Sequence, residues 1–544
     1  MNRKELEKLF YDIVGIQSDT GTELERDAEE YIYDWLGNLG YFKANPDFYG
    51  KYELSDDPLE RAIIWGLRKG QGDETIILLS HHDIVDSFDY GRLKDYAYKP
   101  KELIEKIGQE DINQDTRADL DSGDWIFGRG TADMKAGKVI HMQLLKEYSE
   151  LEDFKGNIVF LSVPDEESLS QGGREGASLL NDLKKKYNLD YLMCINGEPH
   201  ERGENGNAVF YEGSVGKTMV VVYVRGKKTH IGHIFQGLNP SHILSEIVAL
   251  TDMNTIFSDV VEGEVSMPPS WSLMRDTKEQ YDASIPESAG GYFSVLTMKQ
   301  TPKDILENTK KLSQEAFDTV IKRVNDQYNK FREKGNLSKE DLGWESKVMY
   351  FSEAHDQAIE DSGDQYLKAY DDEIEKIKEA ISKGQTNIPD SSLDLISLTL
   401  NYMKDKSPKV VIAFSPPYYP HIANLDFKNI SDKAKNLWDD FRDYAKKELN
   451  EDYERKYYFM GISDLSYLAL NDAESVVPYI GANTPHWDKT YSMPFRDMEE
   501  IAVPVVNIGP WGKDYHKFNE RVYAKDVFEN TPKLTKYAID FLLD

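Results

Sequence analysis

The sequence predicts an α/β fold, in which a mostly parallel sheet flanked by helices is interrupted by an inserted α+β domain. Short β-rich runs alternate with helix-periodic segments over the first 200 or so residues, a rhythm typical of parallel sheets. The pattern of residues along the chain changes near Val215, and a long helical stretch rich in Glu, Lys and Gln follows. Because the chain has 544 residues, more than one domain is expected. We predict a sheet domain formed by 1–214 and 429–544, with the insertion at 215–428.

The individual elements follow from hydrophobic periodicity and from the positions of turn residues. Apolar side chains recur at helical spacing in the first forty residues, whereas the strands are short apolar runs between turns. We predict helices at 1–40, 135–148 and 173–186, from Pro240 onward, within 303–385 and at 431–449. We predict strands at 61–65, 74–80, 157–163, 190–196, 218–224, 409–414, 457–461 and 503–509.

Composition excludes several classes of function. The chain carries 65 basic against 97 acidic residues, a net charge of −32, so neither nucleic acid nor an anionic membrane surface is an expected partner. The single cysteine, Cys194, lies in an apolar run and is expected to be a small buried hydrophobe, so no disulfide within the chain and no cysteine-based zinc finger is possible. No apolar stretch is long enough for a membrane helix or a signal peptide. The expected location is therefore the cytoplasm.

Five clusters of histidine and acidic residues stand out, most of them directly after predicted strands. In chain order they are SHHDIVD at 80–86, GRGTADMKAG at 128–137, PDEES at 164–168, NGEPH at 196–200 and GPWGKDYH at 509–516, with Asn519 and Glu520 just behind the last. In open α/β sheets, ligands bind beyond the carboxyl ends of the strands, so these clusters are expected to converge on one crevice. Imidazole and carboxylate donors suit zinc, cobalt or manganese.

The order of these motifs resembles the clan MH co-catalytic zinc hydrolases, the group of aminoacylase, carboxypeptidase G and succinyl-diaminopimelate desuccinylase. The resemblance covers 1–214 and 429–544 and extends loosely into the start of the insertion. Within that clan the chain looks most like the arginine-utilisation (RocB-type) branch. The resemblance implies a zinc-peptidase-like catalytic domain, an inserted lid and dimerisation domain with an enlarged helical region, and hydrolysis of a peptide or N-acyl amide bond in a small amino-acid derivative or short peptide.

The resemblance also implies a role for each matching residue. Two divalent metal ions are expected, with zinc preferred and cobalt or manganese as alternatives. The implied general base is Glu166, and the implied support for the first histidine is the carboxylate of Asp83, which would hold its tautomer. The implied metal ligands are His81 on one ion, His516 on the other, Asp133 bridging both, and Glu167 and Glu198 completing one site each.

The start of the insertion, VRGKKTHIGH at 224–233, resembles the family's lid-domain motif. In that motif a histidine reaches the substrate carbonyl, commonly in the active site of a partner subunit. The resemblance therefore implies a catalytic role for His230 and a homodimer. The turn GISD at 461–464 resembles the glycine-rich turn that usually lies near the substrate, so Asp464 is a candidate substrate contact.

Two other functions stay open. Relatives that act on free α-carboxylates often carry an arginine near the end of one lid strand, where Leu296, Thr297 and Met298 stand here. Arg275 is a candidate substitute for it. The absent arginine leaves open hydrolysis of a ureido or carbamoyl C–N bond in amino-acid (arginine-related) catabolism. A non-catalytic binding protein on a decayed hydrolase fold is the third hypothesis, which the complete set of ligands disfavours.

Overall fold

The computed structural model describes residues 2–543, which divide into two compact units. The first comprises the chain up to Ser214, then Ile422–Asn471, and the chain from Pro494 onward; the second comprises Val215–His421 and Asp472–Met493. The second unit therefore begins where the predicted insertion begins. It differs from the predicted 215–428 at its end, because 422–428 belong to the first unit and a later segment returns to the second.

Twenty strands and fifteen α-helices occur in the described residues. The strands are β1 (Tyr49–Glu53), β2 (Ala62–Arg68), β3 (Glu74–His81), β4 (Trp125–Phe127), β5 (Asn157–Val163), β6 (Asp190–Asn196), β7 (Ala208–Tyr211), β8 (Gly213–Ser214), β9 (Gly216–Arg225), β10 (Val260–Val261), β11 (Glu264–Val265), β12 (Ser270–Asp276), β13 (Ser288–Thr297), β14 (Val348–Tyr350), β15 (Lys409–Tyr419), β16 (Ile422–Ala423), β17 (Tyr453–Lys456), β18 (Val505–Asn507), β19 (Gly512–Lys513) and β20 (Arg521–Tyr523). The α-helices are α1 (Arg3–Val14), α2 (Glu25–Asn38), α3 (Gly40–Ala44), α4 (Pro100–Ile107), α5 (Gln114–Ser122), α6 (Ala136–Ser149), α7 (Gln171–Tyr187), α8 (Pro240–Thr251), α9 (Pro302–Lys334), α10 (Phe351–Ser382), α11 (Ile388–Tyr402), α12 (Asp432–Tyr444), α13 (Ala473–Asn483), α14 (Phe495–Ile501) and α15 (Thr531–Leu543). Within residues 2–543, none of the helices combines the length and apolar character that a bilayer crossing requires.

The first unit is built on an eight-stranded sheet in the order β1-β2-β5-β3-β6-β18-β7-β17. Its four central strands, β5, β3, β6 and β18, run parallel to one another. The central strands are buried on both faces, as the apolar run of β5 shows, because helices pack against the sheet. The predicted α/β fold with a mostly parallel sheet is confirmed, and Cys194 is buried in β6.

The helical character predicted over 1–40 is confirmed, and the segment forms α1 and α2, because α1 ends at Val14 and the chain turns before Glu25. The strand predicted at 457–461 is wrong: β17 ends at Lys456 and pairs with β7 at the sheet edge. Because an edge strand leaves one side open to solvent, the charged residues of β17 are tolerated there. The aromatic run that follows β17 is not part of this sheet.

The second unit contains a five-stranded sheet in the order β12-β13-β9-β15-β14. All pairs are antiparallel except β14 with β15. The long helices predicted within 303–385 are α9 and α10, and apolar residues of α10 and α11 pack on the sheet residues Val221 and Tyr223. Strand β15 continues to Tyr419, five residues beyond its predicted end, because the Ser-Pro-Pro stretch forms an irregularity within the strand and does not end it.

Candidate metal centre

Four parallel strand ends create the site in the first unit. Strands β5, β3, β6 and β18 finish at the same edge of the sheet, and each is followed by polar residues. His81 is the last residue of β3, Glu167 follows β5, Glu198 follows β6, and His516 lies beyond β18. Asp133 comes from the loop that precedes α6. The sheet topology therefore brings five residues that are distant in sequence to one place.

The five side chains form two overlapping groups that share Asp133. His81 Nε2 lies 3.2 Å from Asp133 Oδ1 and 3.4 Å from Glu198 Oε1. His516 Nε2 lies 3.3 Å from Asp133 Oδ2 and 3.0 Å from Glu167 Oε2. Asp133 thus presents one carboxylate oxygen to each histidine, and one glutamate accompanies each of them. This arrangement offers two adjacent sets of one imidazole, one glutamate and one shared aspartate.

The chemistry of these donors fits divalent metal ions. Donor atoms of His81, Asp133 and Glu167 lie within 4.8 Å of one another. Glu167 Oε1 is buried without a hydrogen-bond partner, which is costly for a carboxylate unless a cation binds it. Among residues 2–543, no lysine or arginine forms an ion pair with the three carboxylates. Nitrogen and oxygen donors of this kind suit zinc, cobalt and manganese.

The electrostatics of the cluster indicate an excess of negative charge. Burial and the charge of Asp133 raise the pKa of both Glu167 and Glu198 to about 7. Hydrogen bonds to Asp133 and Glu167 raise the pKa of His516 to about 11. Although burial opposes it, contacts with the two histidines lower the pKa of Asp133. The histidines therefore supply the positive charge that these acids require, a role that a bound cation would take over.

Glu166 is the carboxylate left free beside these ligands. Within the described chain, its side chain takes part in no ion pair or hydrogen bond, while its neighbour Glu167 contacts His516. Burial, followed by the charges of Asp464, Glu198 and Glu167, raises the pKa of Glu166 well above its usual range, although His81 opposes this. A carboxyl group in such surroundings is able to hold and release a proton.

Asp83 contacts the site through both its main-chain carbonyl group and its carboxylate. The Nδ1 atom of His81 lies 2.9 Å from the main-chain carbonyl oxygen of Asp83 and 3.5 Å from its carboxylate. The main-chain carbonyl is therefore the nearer acceptor, and it leaves Nε2 free to face Asp133. The buried carboxylate of Asp83 instead accepts hydrogen bonds from the backbone N–H groups of Glu166 and Glu167, at 3.1 and 3.0 Å. It positions the loop that carries both glutamates.

Two glycines allow the backbone to approach closely around Glu198. A Cβ atom on Gly137, in the first turn of α6, would lie 1.9 Å from the carbonyl oxygen of Gly197. A Cβ atom on Gly509, after β18, would lie 2.0 Å from the carbonyl oxygen of Glu198. No other residue fits at either position, because these contacts are far shorter than van der Waals distances. The glycines of the second and fifth motifs thus hold Glu198 between α6 and the loop that leads to His516.

Glu520 is a functional residue to which the sequence analysis gave no role. Its Oε1 atom accepts hydrogen bonds from the backbone N–H groups of Ala132, at 3.1 Å, and Asp133, at 3.3 Å. Its Oε2 atom accepts from Arg129 Nη1 at 2.9 Å, and both side chains are almost fully buried. Glu520 therefore fixes the backbone of the shared aspartate. Its place four residues after His516 was the only signal in the sequence.

The two remaining candidates, Asp464 and His230, belong to different units. Asp464 is buried against α7, where a Cβ atom on Gly173 would lie 2.2 Å from its Oδ1, and burial raises its pKa to about 8. The charges of Asp83 and Glu198 also raise the pKa of Asp464, whereas the charge of His81 lowers it. Asp464 therefore lies near the cluster. His230 belongs to the second unit, where its exposed imidazole accepts a hydrogen bond from Gly232.

Comparison with known proteins relates the whole chain to one family. Peptidase family M20/M25/M40 matches residues 108–540. The uncharacterized protein YqjN of Bacillus subtilis is 32% identical over 99% of this chain and 97% of its own length, and protein RocB of the same organism is 30% identical over 99% and 95%. Among solved structures, the M20 family metallo-carboxypeptidase Sso-CP2 from Sulfolobus solfataricus covers 100% of both chains with a TM-score of 0.54 and 11% identity, which indicates a shared fold.

Proposed function

Since this chain belongs to peptidase family M20/M25/M40 and is a metal-dependent hydrolase of amide bonds, we propose that it acts through two divalent metal ions on a small amino-acid derivative or short peptide. The observation that carries the proposal is the position of Asp133, which presents one oxygen to His81 and the other to His516. A carboxylate shared in this way suits a pair of ions better than a single one.

The ligand sets follow from the two groups of contacts. His81, Glu198 and Asp133 would hold one ion, and His516, Glu167 and Asp133 the other. Zinc is the expected metal, and the same donors accept cobalt or manganese. When bound, the two ions would activate a water molecule and polarise the scissile carbonyl group.

Glu166 would then carry out the proton transfers. Its free carboxylate would take a proton from the attacking water and deliver it to the nitrogen that leaves when the C–N bond breaks. Glu167, the adjacent carboxylate, is engaged with His516 and would serve only as a ligand. The backbone N–H groups of both residues are fixed by Asp83, so the base would keep its orientation while it exchanges the proton.

We further propose a homodimer in which His230 reaches the substrate of the partner subunit. An exposed edge of the second unit supports this proposal, because β12 is the outermost strand of its sheet and has one unpaired side. Large exposed apolar residues occur on β12 and in the segment that precedes it in the chain, namely Met253, Ile256, Val260, Val265, Met267 and Met274. The exposed imidazole of His230 is available for a contact with another chain.

Mixing two inactive variants tests the role of His230. A His230→Ala protein and a Glu166→Gln protein, each inactive alone, would recover up to about a quarter of the activity after subunit exchange, because half of a 1:1 mixture would be mixed dimers with one intact site of two. The control is His233→Ala, which should stay active alone. A mixture without any recovery would contradict a role across the dimer.

Hydrolysis of a ureido or carbamoyl C–N bond is the second candidate function. Strand β13 ends at Thr297 without an arginine, and Arg275, the only nearby substitute in the sequence, lies 3.5 Å from the carboxylate of Asp390. This part of the second unit therefore offers no unpaired arginine to bind a free α-carboxylate. The non-catalytic alternative has no support, because every ligand and the candidate base are present.

A Glu166→Gln variant tests the proposed mechanism. The amide keeps the size of the side chain but does not accept the proton, so turnover should fall by about 10²–10⁴-fold while bound metal is unchanged. The assay is release of amine from a panel of dipeptides, N-acyl amino acids and ureido acids, with Glu23→Gln, an exposed glutamate, as the matched control. A Glu166→Gln enzyme with wild-type turnover would remove Glu166 from the mechanism.

A further inference from the structure

The second unit contains an open cleft of about 1150 Å³ at one end of its sheet. Strand β9 ends there at Arg225, and the loop that leads into β15 forms another wall through Lys406 and Pro408. The side chains of Lys227 and Trp344 line the same space. A smaller cavity of about 490 Å³ shares Arg225 with it. The cleft exceeds the usual size of a small-molecule site, about 300–1,000 Å³.

Arg225 is a buried cation without a carboxylate partner. Its side chain is almost fully inaccessible, and its two terminal nitrogens donate only to the neutral acceptors Leu400 O, at 2.7 Å, and Asn401 Oδ1. Its Nε atom is buried with no acceptor among the described residues. A buried charge is costly unless it is paired, and here burial also lowers the pKa of the guanidinium. The surroundings of Arg225 therefore favour an anion.

Two lysines and an indole around the same cleft also lack anionic partners. Lys227 lies over the ring of Trp344 at 5.4 Å, and no carboxylate in residues 2–543 pairs with it. Lys406 donates to the carbonyl oxygens of Leu400 and Asn401, which are neutral acceptors. The indole N–H of Trp344 is buried with no acceptor in the described chain. Arg225, the two lysines and the indole N–H of Trp344 thus all line this cleft.

The acidic residues of the cleft do not neutralise these donors. Asp405 is already engaged by Lys347, at 2.6 Å, and by Lys409, at 3.3 Å. The other two acids that line the cleft, Glu287 and Glu345, are exposed and form no ion pair in residues 2–543, although the charge of Glu287 favours the charged form of Arg225. These two acids are fewer than the three cations without a carboxylate partner, Arg225, Lys227 and Lys406. The cleft therefore keeps unpaired positive charge in a chain whose net charge is −32. Such a local reversal of sign attracts anions.

We propose that this cleft is a binding site for a small organic dianion, a phosphate ester or a dicarboxylate. Its anionic groups would accept hydrogen bonds from Arg225 Nε and the Trp344 indole and pair with Lys227 and Lys406. The carbon skeleton would pack on the faces of Trp344 and Pro408, which explains a volume larger than an inorganic ion needs. The site is formed by second-unit residues alone and does not depend on the proposed hydrolytic function.

Titration of the full-length protein with sodium phosphate and with sodium succinate, at constant ionic strength, tests this site. We expect saturable heat in calorimetry and a saturable change in tryptophan fluorescence with at least one probe. A response to phosphate alone would identify a phosphate-ester site, and a response to succinate alone a dicarboxylate site. The Trp344→Phe variant should lose the fluorescence change, because Trp344 is the reporter within the cleft.

A charge-reversed variant locates the binding. Lys227→Glu/Lys406→Glu alters two exposed side chains and should weaken binding by at least about tenfold, because charge-assisted contacts become repulsive. The matched control is Lys322→Glu/Lys330→Glu on α9, which has the same charge change and should bind within twofold of wild type. Absence of saturable binding by both probes, or undiminished binding in the cleft variant, would overturn the proposal.

Discussion

The candidate metal centre of the first unit and the cleft of the second are opposite in charge but share one feature. In the first, Glu167 has a buried carboxylate oxygen with no hydrogen-bond partner, and the pKa of Glu198 is raised to about 7. In the second, Arg225 is a buried guanidinium with no carboxylate partner. Each region thus holds a buried charged group with at least one polar atom that has no partner among residues 2–543.

An unpaired buried charge indicates the chemistry of the ligand that a site would bind. A structural charge of the first unit that is paired provides the contrast: Arg61 contacts Glu25 and Asp165 at 2.8 Å each. Burial of a charge is tolerated when a partner is provided within the fold, and a site without one favours a ligand of opposite sign. The acids of the first unit therefore favour cations, and the cations of the second favour anions.

The largest expected effect is a loss of stability when metal is removed. Chelation should lower the unfolding temperature of the protein, because the acids around Asp133 would lose their cations. A ligand present at a thousand times its Kd stabilises the folded state by about 4 kcal/mol. Differential scanning calorimetry before and after chelation measures the change, and stoichiometric zinc should reverse it.

Because chelators are anions, the same experiment on Lys227→Glu/Lys406→Glu serves as the control. An equal shift in that variant would assign the effect to the metal centre. An unfolding temperature that does not change on chelation would mean that the acids of the first unit are tolerated without cations.

An intermediate effect is expected at Glu520. Glu520→Gln leaves the buried Arg129 without its full charge partner and weakens the support of the Asp133 backbone. Replacement of a group that orients metal ligands costs roughly 10–100-fold in metal affinity. Competition with a fluorescent chelator measures this loss. Glu529→Gln, a partly exposed change in the same part of the chain, should keep wild-type affinity. Equal affinities for the two variants would contradict the role of Glu520.

The smallest effect concerns the independence of the two regions. Lys227→Glu/Lys406→Glu removes the contact of Lys227 with the Trp344 ring and the hydrogen bonds of Lys406 to the end of α11, so it should lower the free energy of unfolding by no more than about 2 kcal/mol. Its metal content should equal that of the wild type, measured by mass spectrometry. A variant that loses metal would show that the cleft and the metal centre are one system.

The sequence predicted the sheet of the first unit, and the clustering of the candidate ligands at its edge, for a physical reason. Apolar runs such as that of β3 are buried on both faces, and a polar residue directly after such a run must lie at a strand end. Motif order then connected residues as distant as His81 and His516. The pairing of Glu198 with His81, and of Glu167 with His516, required the three-dimensional register of the strands.

Other features of the fold and the site could not be predicted, because they depend on contacts between residues that are distant in the sequence. Glu520 supports Asp133 across nearly four hundred residues, and the carbonyl rather than the carboxylate of Asp83 meets His81. The return of Asp472–Met493 to the second unit is likewise a tertiary arrangement. The cleft was missed because its unpaired cations, Arg225 among them, look in sequence like ordinary surface charges.

The number of metal ions bound per chain tests the central claim most directly. Inductively coupled plasma mass spectrometry of the purified wild-type protein should find about two zinc, cobalt or manganese ions per chain. The His81→Ala variant should bind fewer, and His233→Ala, an exposed histidine, should bind as many as the wild type. A wild-type protein that binds no metal, even after reconstitution, would contradict the account of the first unit.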